Sequence, residues 1–310
     1  MKHKTIKITD RDSIQPFLNK FNLPKPNSHK GQNGRVLIIG GSSLFHSASI
    51  WAAEVASHIV DIVHYSSTQE NNEILLSLKE KFHNGIVIPQ EHLPEYIKED
   101  DAILVGPGMV RGEKISNLKS QISNFEDILK IADEPTYTYL LTKYLIENFP
   151  EKKFVFDAGA LQMMDKEWLT KLKVPAIITP HQKEFEELFG INVLEKEREE
   201  KVKIVQETAA KYKCVILLKA VYDVVSDGKN TEVIEGGNQG LTKGGTGDVL
   251  AGLAVSFYAK NDPIIAATVA SYVLKTVASS LMATDGVWYN LDKIIESIPR
   301  LLQSLFFDRI

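Results

Sequence analysis

Val36-Leu37-Ile38-Ile39-Gly40-Gly41-Ser42-Ser43 decides the fold class. Four apolar residues, enough for a short strand, stop abruptly at two glycines, and residues 48–58 then take helical spacing. The alternation recurs along the chain. Residues 59–64, 86–89, 102–105, 154–156, 176–178 and 215–218 are further short apolar runs, mostly separated by helical patterns. Strands alternating with helices build βαβ units. The pattern therefore predicts a three-layer α/β fold, with a central, mostly parallel sheet and helices on both faces. The last third changes character. Residues 223–225 and 231–234 flank Asp227-Gly228, a hairpin signal. Three helices are expected after them, at 247–259, 263–283 and 291–306, with Pro263 in a first turn. Residues 112–150 keep a long helical pattern, read as two helices broken at Asp133-Glu134-Pro135.

Composition excludes several function classes. The 310 residues are 44% hydrophobic and 25% charged, an ordinary globular balance, and α/β chains of this length often form one domain, so a single domain over 1–310 is expected. With 36 basic and 40 acidic residues the net charge is −4, which leaves no basic footprint for nucleic acid. Residues 1–7 are basic but lack an apolar h-region, so no signal peptide is expected. The most apolar long stretch, 264–283, contains Lys275 and many small residues and reads as a buried helix, not a membrane span. The single cysteine, Cys214, excludes an internal disulfide and a cysteine-based zinc site; its apolar run predicts a buried, inert thiol. The cytoplasm is the expected compartment.

The strongest chemical signal is Gly244-Gly245-Thr246-Gly247-Asp248-Val249-Leu250-Ala251-Gly252. Glycines that lead straight into a helix let backbone N–H groups face an anion, and the helix start adds its positive dipole end. Asp248 fits two roles at this spacing. It can cap the helix, or it can act as a general base beside an anion hole, taking a proton from a hydroxyl that attacks a phosphoryl group. No Lys-Ser or Lys-Thr follows the glycines, so this is not a Walker A loop. Gly31-Gln32-Asn33-Gly34-Arg35 precedes the first quoted strand, and Gly40-Gly41-Ser42-Ser43 ends it without G-x-G-x-x-G spacing. Gly106-Pro107-Gly108, Asp157-Ala158-Gly159-Ala160 and Thr179-Pro180-His181 stand at three other expected strand ends. Ligands bind outside such ends in open α/β sheets. Read alone, each is also ordinary turn chemistry: Asp157 can cap a helix, His181 can open one, and Glu184 fits a capping geometry as well as a ligand role.

In this order, His29-Lys30-Gly31, Val36 to Ser42, Val105 to Gly108, Phe156 to Leu161, Thr179 to His181 with Glu184-Phe185, Leu218-Lys219, and Gly237-Asn238 through Gly252 resemble the NAD(P)H-hydrate dehydratase family. The resemblance covers roughly 28–302 and implies a ribokinase-like fold and a stand-alone dehydratase domain. It implies ADP or ATP as phosphate donor, Mg²⁺ accompanying the nucleotide, the S epimer of hydrated NADH or NADPH as substrate, and a homo-oligomer without membrane or nucleic-acid partners. The reaction so implied is that of a carbon–oxygen lyase: phosphorylation of the ring hydroxyl, loss of phosphate, and return of the nicotinamide double bond. Asp248 would be the base. Gly244, Gly245, Thr246 and Gly247 would hold the migrating phosphate. Lys219, Ala220, Val221, Tyr222, Asp223 and Asn238 would lie against the nucleotide. Lys30, Gly40, Gly41, Ser42, Ala48, Gly106, Gly108, Asp157, His181 and Glu184 would line the substrate side, with no dedicated protein metal site. The chain departs from the family pattern at Val110, at Ala220, at Gln182-Lys183 after Thr-Pro-His, at Phe45-His46-Ser47, in 58–64, and in a longer 112–150 segment. The same loop would also serve a kinase for a small hydroxylated metabolite, or a nucleotide-binding protein without catalysis.

Overall fold

A computed structural model describes residues 3–113 and 124–307. Ten strands among them form one sheet: β1 (Lys4–Lys7), β2 (Arg35–Ile39), β3 (Ile62–Ser66), β4 (Gly85–Val87), β5 (Ala102–Val105), β6 (Lys153–Phe156), β7 (Ile177–Ile178), β8 (Val215–Leu218), β9 (Tyr222–Ser226) and β10 (Thr231–Glu235). Their order is β1-β10-β9-β8-β7-β6-β5-β2-β3-β4. Pairing is parallel from β4 through β8, antiparallel on both sides of β9, and parallel again between β10 and β1. The chain winds outward from β2 through β3 to β4, and in the other direction from β5 to β8. The strand order therefore reverses between β2 and β5, the place where open α/β sheets bind ligands.

Twelve α-helices are described: α1 (Arg11–Leu18), α2 (Ser47–Ser57), α3 (Gln69–Ser77), α4 (Leu93–Glu99), α5 (Phe125–Leu129), α6 (Glu134–Asn148), α7 (Ala158–Met163), α8 (Gln182–Phe189), α9 (Arg198–Tyr212), α10 (Thr246–Tyr258), α11 (Pro263–Asp285) and α12 (Leu291–Phe306). The period-two side-chain alternation of each strand feeds two cores. Val36, Ile38, Leu104 and Val155 face α1, α2, α10, α11 and α12. Leu37, Ile39, Ile103 and Phe154 face α4 to α9. Covering both faces is what lets parallel strands read as continuous apolar runs. Gly252 brings α10 hard against α2; a Cβ there would stand 2.4 Å from Val55 Cγ1. α11 is long and apolar enough to cross a membrane by length and composition, but 78% of its most apolar window is buried inside the protein.

Several expectations need correction. The strand expected at 59–64 is β3, shifted to Ile62–Ser66, because the amides of His58, Ile59 and Val60 bond back to the last turn of α2. The expected break at 133–135 is present between α5 and α6, and its residues open the second helix. Asp133 caps α6 through the Thr136 N–H at 3.0 Å, and Pro135 occupies the first turn, where its missing N–H costs nothing. The part of that expectation at 114–123 lies outside the described residues. β1 was not expected at all. As anticipated, Cys214 is buried, and burial pushes its thiol up to about 12.

Candidate active site

β2 and β5 end side by side, so the loops 40–43 and 106–108 meet at the reversal point. The Gly41 N–H donates to the Pro107 carbonyl at 2.7 Å. Gly106 has φ +126°, and a Cβ on it would stand 1.8 Å from the Asp157 carbonyl oxygen, so only glycine lets β5 turn beside the end of β6. Gly40 lies against Pro107, and Gly108 against Ala48. These expected residues are therefore brought together. Ser42 shares the loop, but its hydroxyl turns inward and accepts the Phe45 N–H at 3.0 Å.

Next along the same edge is a charged cluster built from three strand ends. Asp157 follows β6, is 2% exposed, and accepts hydrogen bonds from Thr179 Oγ1 and Lys219 Nζ, both at 2.8 Å. Lys219 follows β8 and lies 3.9 Å from Glu184 Oε2. Burial opposes its charge, but Asp157 and Glu184 outweigh burial and hold the ammonium above its usual value. His181 and Glu184 form a capping box on α8. The His181 Nδ1 accepts the N–H groups of Lys183 and Glu184, each at 3.1 Å, and Glu184 Oε2 accepts the His181 N–H at 2.8 Å. Because Nδ1 is an acceptor, the neutral ring carries its proton on Nε2, which lies 3.6 Å from Glu184 Oε1. These residues cap the helix and also stand beside Lys219 in the cluster.

α10 brings the glycine-rich loop to this cluster. Gly245 has φ +98°, and a Cβ on it would meet Trp51 of α2 at 2.5 Å, so an indole floors the loop where only glycine fits. The Thr246 hydroxyl donates to the carbonyls of Leu241 and Lys243 and fixes the loop from within. A Cβ on Gly247 would be 3.3 Å from Lys219 Nζ, which places the lysine beside the helix start. Asp248 sits in the first turn and keeps an edge toward solvent. Burial and the nearby charges of Asp157 and Glu184 push its carboxyl up to about 7, against a smaller opposing pull from Lys219. The first N–H groups of a helix have no intrahelical acceptor. The edge therefore presents helix-start N–H groups, the Lys219 ammonium, and the Asp248 carboxyl with its pKa near 7.

The residues expected against a nucleotide divide. Val221 is 91% exposed, beside Ala220 and Tyr222 in the turn after β8. Asp223 faces inward; its Oδ1 accepts the Ala220 N–H at 3.0 Å. The Asn238 side chain is likewise used inside the loop, donating to the Ala278 carbonyl and accepting from Gly240 N and Tyr289 Oη. Lys30 is a correction. The Gly31 and Asn33 N–H groups bond Asp61 Oδ2 at the edge where β2 and β3 begin, so Lys30 lies at the other end of the sheet from Gly40. Sequence reasoning missed Trp51 and the contacts of Lys275. The latter left a signal, a charge within the otherwise uncharged stretch 264–283. Among the described residues no group of three or more His, Cys, Asp or Glu could hold a metal ion.

The family model for NAD(P)H-hydrate dehydratase matches residues 36–300. The chain is 31% identical over 286 residues to the bifunctional NAD(P)H-hydrate repair enzyme of Methanocaldococcus jannaschii, covering 89% of this chain and 50% of that protein. It thus spans about half the length of the bifunctional relatives it matches. It is also 31% identical over 271 residues to the ADP-dependent (S)-NAD(P)H-hydrate dehydratase of Nitrosopumilus maritimus, covering 85% of this chain and 87% of that one. Two solved structures share the fold at 21% identity: a ribokinase-like superfamily protein of Enterococcus faecalis (TM-score 0.76, 98% of each chain) and the ADP/ATP-dependent NAD(P)H-hydrate dehydratase of Bacillus subtilis co-crystallized with ATP and Mg²⁺ (TM-score 0.74, 94% of this chain and 96% of that one). With a family match across most of its length, this ribokinase-like chain belongs to the NAD(P)H-hydrate dehydratase family.

Proposed function

We propose that this chain restores NADH or NADPH from the S epimer of its hydrate, using ADP or ATP as phosphate donor. The observation that carries the reading is the Asp248 carboxyl at about 7, in the first turn of the helix that follows the glycine loop. A base works best when its pKa lies near the operating pH. Asp248 takes the proton from the ring hydroxyl as that oxygen bonds the terminal phosphorus of the nucleotide and the bridging P–O bond breaks. The N–H groups at the start of α10 and the Lys219 ammonium meet the charge of the migrating group. The ring nitrogen lone pair then expels phosphate, and loss of a proton from the adjacent carbon restores the double bond.

The loops fit a nucleotide. Gly244 has open space where a side chain would stand, and Lys219 Nζ lies 3.3 Å from where a Cβ on Gly247 would be. Asp157, Glu184 and Asp248 outnumber Lys219, so entering phosphates need a counter-charge. Mg²⁺ carried on the nucleotide would supply it. The name of the Nitrosopumilus relative favours ADP as the donor.

The test incubates the protein with hydrated NADH, Mg²⁺ and either ADP or ATP. Reduced-nicotinamide absorbance should return with one free phosphate per NADH formed. Accumulation of a stable phosphorylated compound would make the protein a kinase of this fold. Nucleotide binding without turnover of either hydrate would make it a binding protein.

A further inference from the structure

Lys275 sits in the middle of α11, 4% exposed in an otherwise apolar helix. Its ammonium lies 3.3 Å from Asp223 Oδ1. It also donates to the carbonyls of Val221 at 3.2 Å and of Ala220 and Gly236 at 3.4 Å. Asp223 completes the arrangement by accepting the Ala220 N–H at 3.0 Å and the Ser271 hydroxyl at 2.7 Å. One buried cation therefore grips two separate segments. The first is the turn after β8 that carries Lys219 and Val221. The second is Gly236-Gly237, where the chain leaves β10 toward the 244–247 loop. A Cβ on Gly237 would stand 3.3 Å from Lys275 Cγ, so the lysine stem also lies directly under that second segment.

We propose that Lys275, locked by Asp223, is a positioning residue that sets the register between the two halves of the nucleotide site. The turn after β8 meets the nucleoside end, and the loop beyond Gly237 meets the phosphates. The proposal rests on the nucleotide reading above. Packing alone does not call for this pair. Apolar residues of similar volume seal a core as well as a buried ion pair or better. An apolar side chain, however, cannot hold three backbone carbonyls from two segments at once. Both segments are short and the lysine reaches both, so the length and direction of one side chain help set their separation.

The experiment compares wild type with Lys275→Met, Asp223→Asn and the double variant. It measures thermal stability, nucleotide affinity, nucleotide KM and kcat, and amide exchange at Ala220. Each single change leaves a buried charge unpaired and should lower Tm; the double change should recover much of that loss. The recovered double variant should still show nucleotide KM and Kd raised roughly tenfold or more, with kcat reduced less than about threefold, because the Asp248 loop is untouched. Its Ala220 amide should exchange faster than in wild type. A well-folded double variant with wild-type nucleotide KM and Kd overturns the inference and leaves the pair a core feature only. Loss of kcat at unchanged KM also overturns it. If wild type itself binds neither ADP nor ATP, the functional reading falls, and this inference falls with it.

Discussion

The two edges of the sheet are built from the same strands and differ in kind. At the edge where the strands begin there is room. A cavity of about 610 Å³ opens among Phe21, Asn33, His58, Phe257 and Phe306, and another of about 740 Å³ among Phe17, Lys20, Cys214, Glu232 and Ile264. At the edge where the parallel strands end there is charge: three carboxylates crowd one ammonium, and Gly106 and Gly245, both at positive φ, let the backbone come close. Ala158 takes positive φ with a Cβ directly after Asp157, as Lys213 does before β8 at the other edge. Backbone strain of this kind persists only where the surroundings over-determine it. The proposed chemistry uses the charged edge, although the roomier hollows lie elsewhere.

The sharpest way to break this contrast is Asp248→Asn. Asparagine caps a helix as well as aspartate does, so a mere cap survives the change, whereas loss of a base lowers kcat by at least about a hundredfold with nucleotide affinity little altered. In wild type, kcat/KM should climb as pH rises through about 7, where Asp248 ionises, and that limb should vanish in the variant. The stability sign is opposite. Folding raises the Asp248 pKa, so ionising it costs stability as pH rises from its ordinary value to about 7. Asp248→Asn should therefore raise Tm at pH 8 and not at pH 3. Near-normal turnover in a well-folded variant would leave only the cap.

Gly106→Ala tests strain rather than charge. Its new methyl would collide with the backbone oxygen of Asp157, which cannot swing aside as a side chain can. Denaturant melts should show a loss of about 2 kcal/mol or more. A neutral result would mean that the β5 and β6 ends move apart freely. The smallest effect belongs to the roomy edge. Burial pushes the Glu232 carboxyl up to about 7, and its Oε2 has no hydrogen-bond partner. Folding therefore loses stability as pH rises from the ordinary carboxylate range to about 7. Glu232→Gln should then stabilise the protein at pH 8 by on the order of 1 kcal/mol, do nothing at pH 4, and leave turnover as it was. Lost turnover would draw the two edges into one functional unit.

What the sequence made legible follows from range. β5 and β8 coincide with their apolar runs, and the glycine loops announce their own turns, because both depend on neighbours in the chain. β1 was invisible: four residues, two of them lysines, become a strand only because β10 offers an edge. The outward position of Lys30 and the inward turn of Asp223 were equally hidden. Each depends on a contact made by residues distant in sequence, Asp61 in one case and Lys275 in the other.

The placement of β1 also bears on how the molecule comes together. During vectorial synthesis the strand at residues 4–7 emerges early but has no partner until residues 231–235 have been made. α1 waits longer still, because Arg11 donates to the carbonyls of Ser304 and Leu305. β1 and α1 are thus expected among the last segments to dock, because their partners lie more than 200 residues away in sequence. Until β1 docks, β10 is an open edge able to recruit a strand from another molecule. Closure at β1 is therefore the step that removes this route to association.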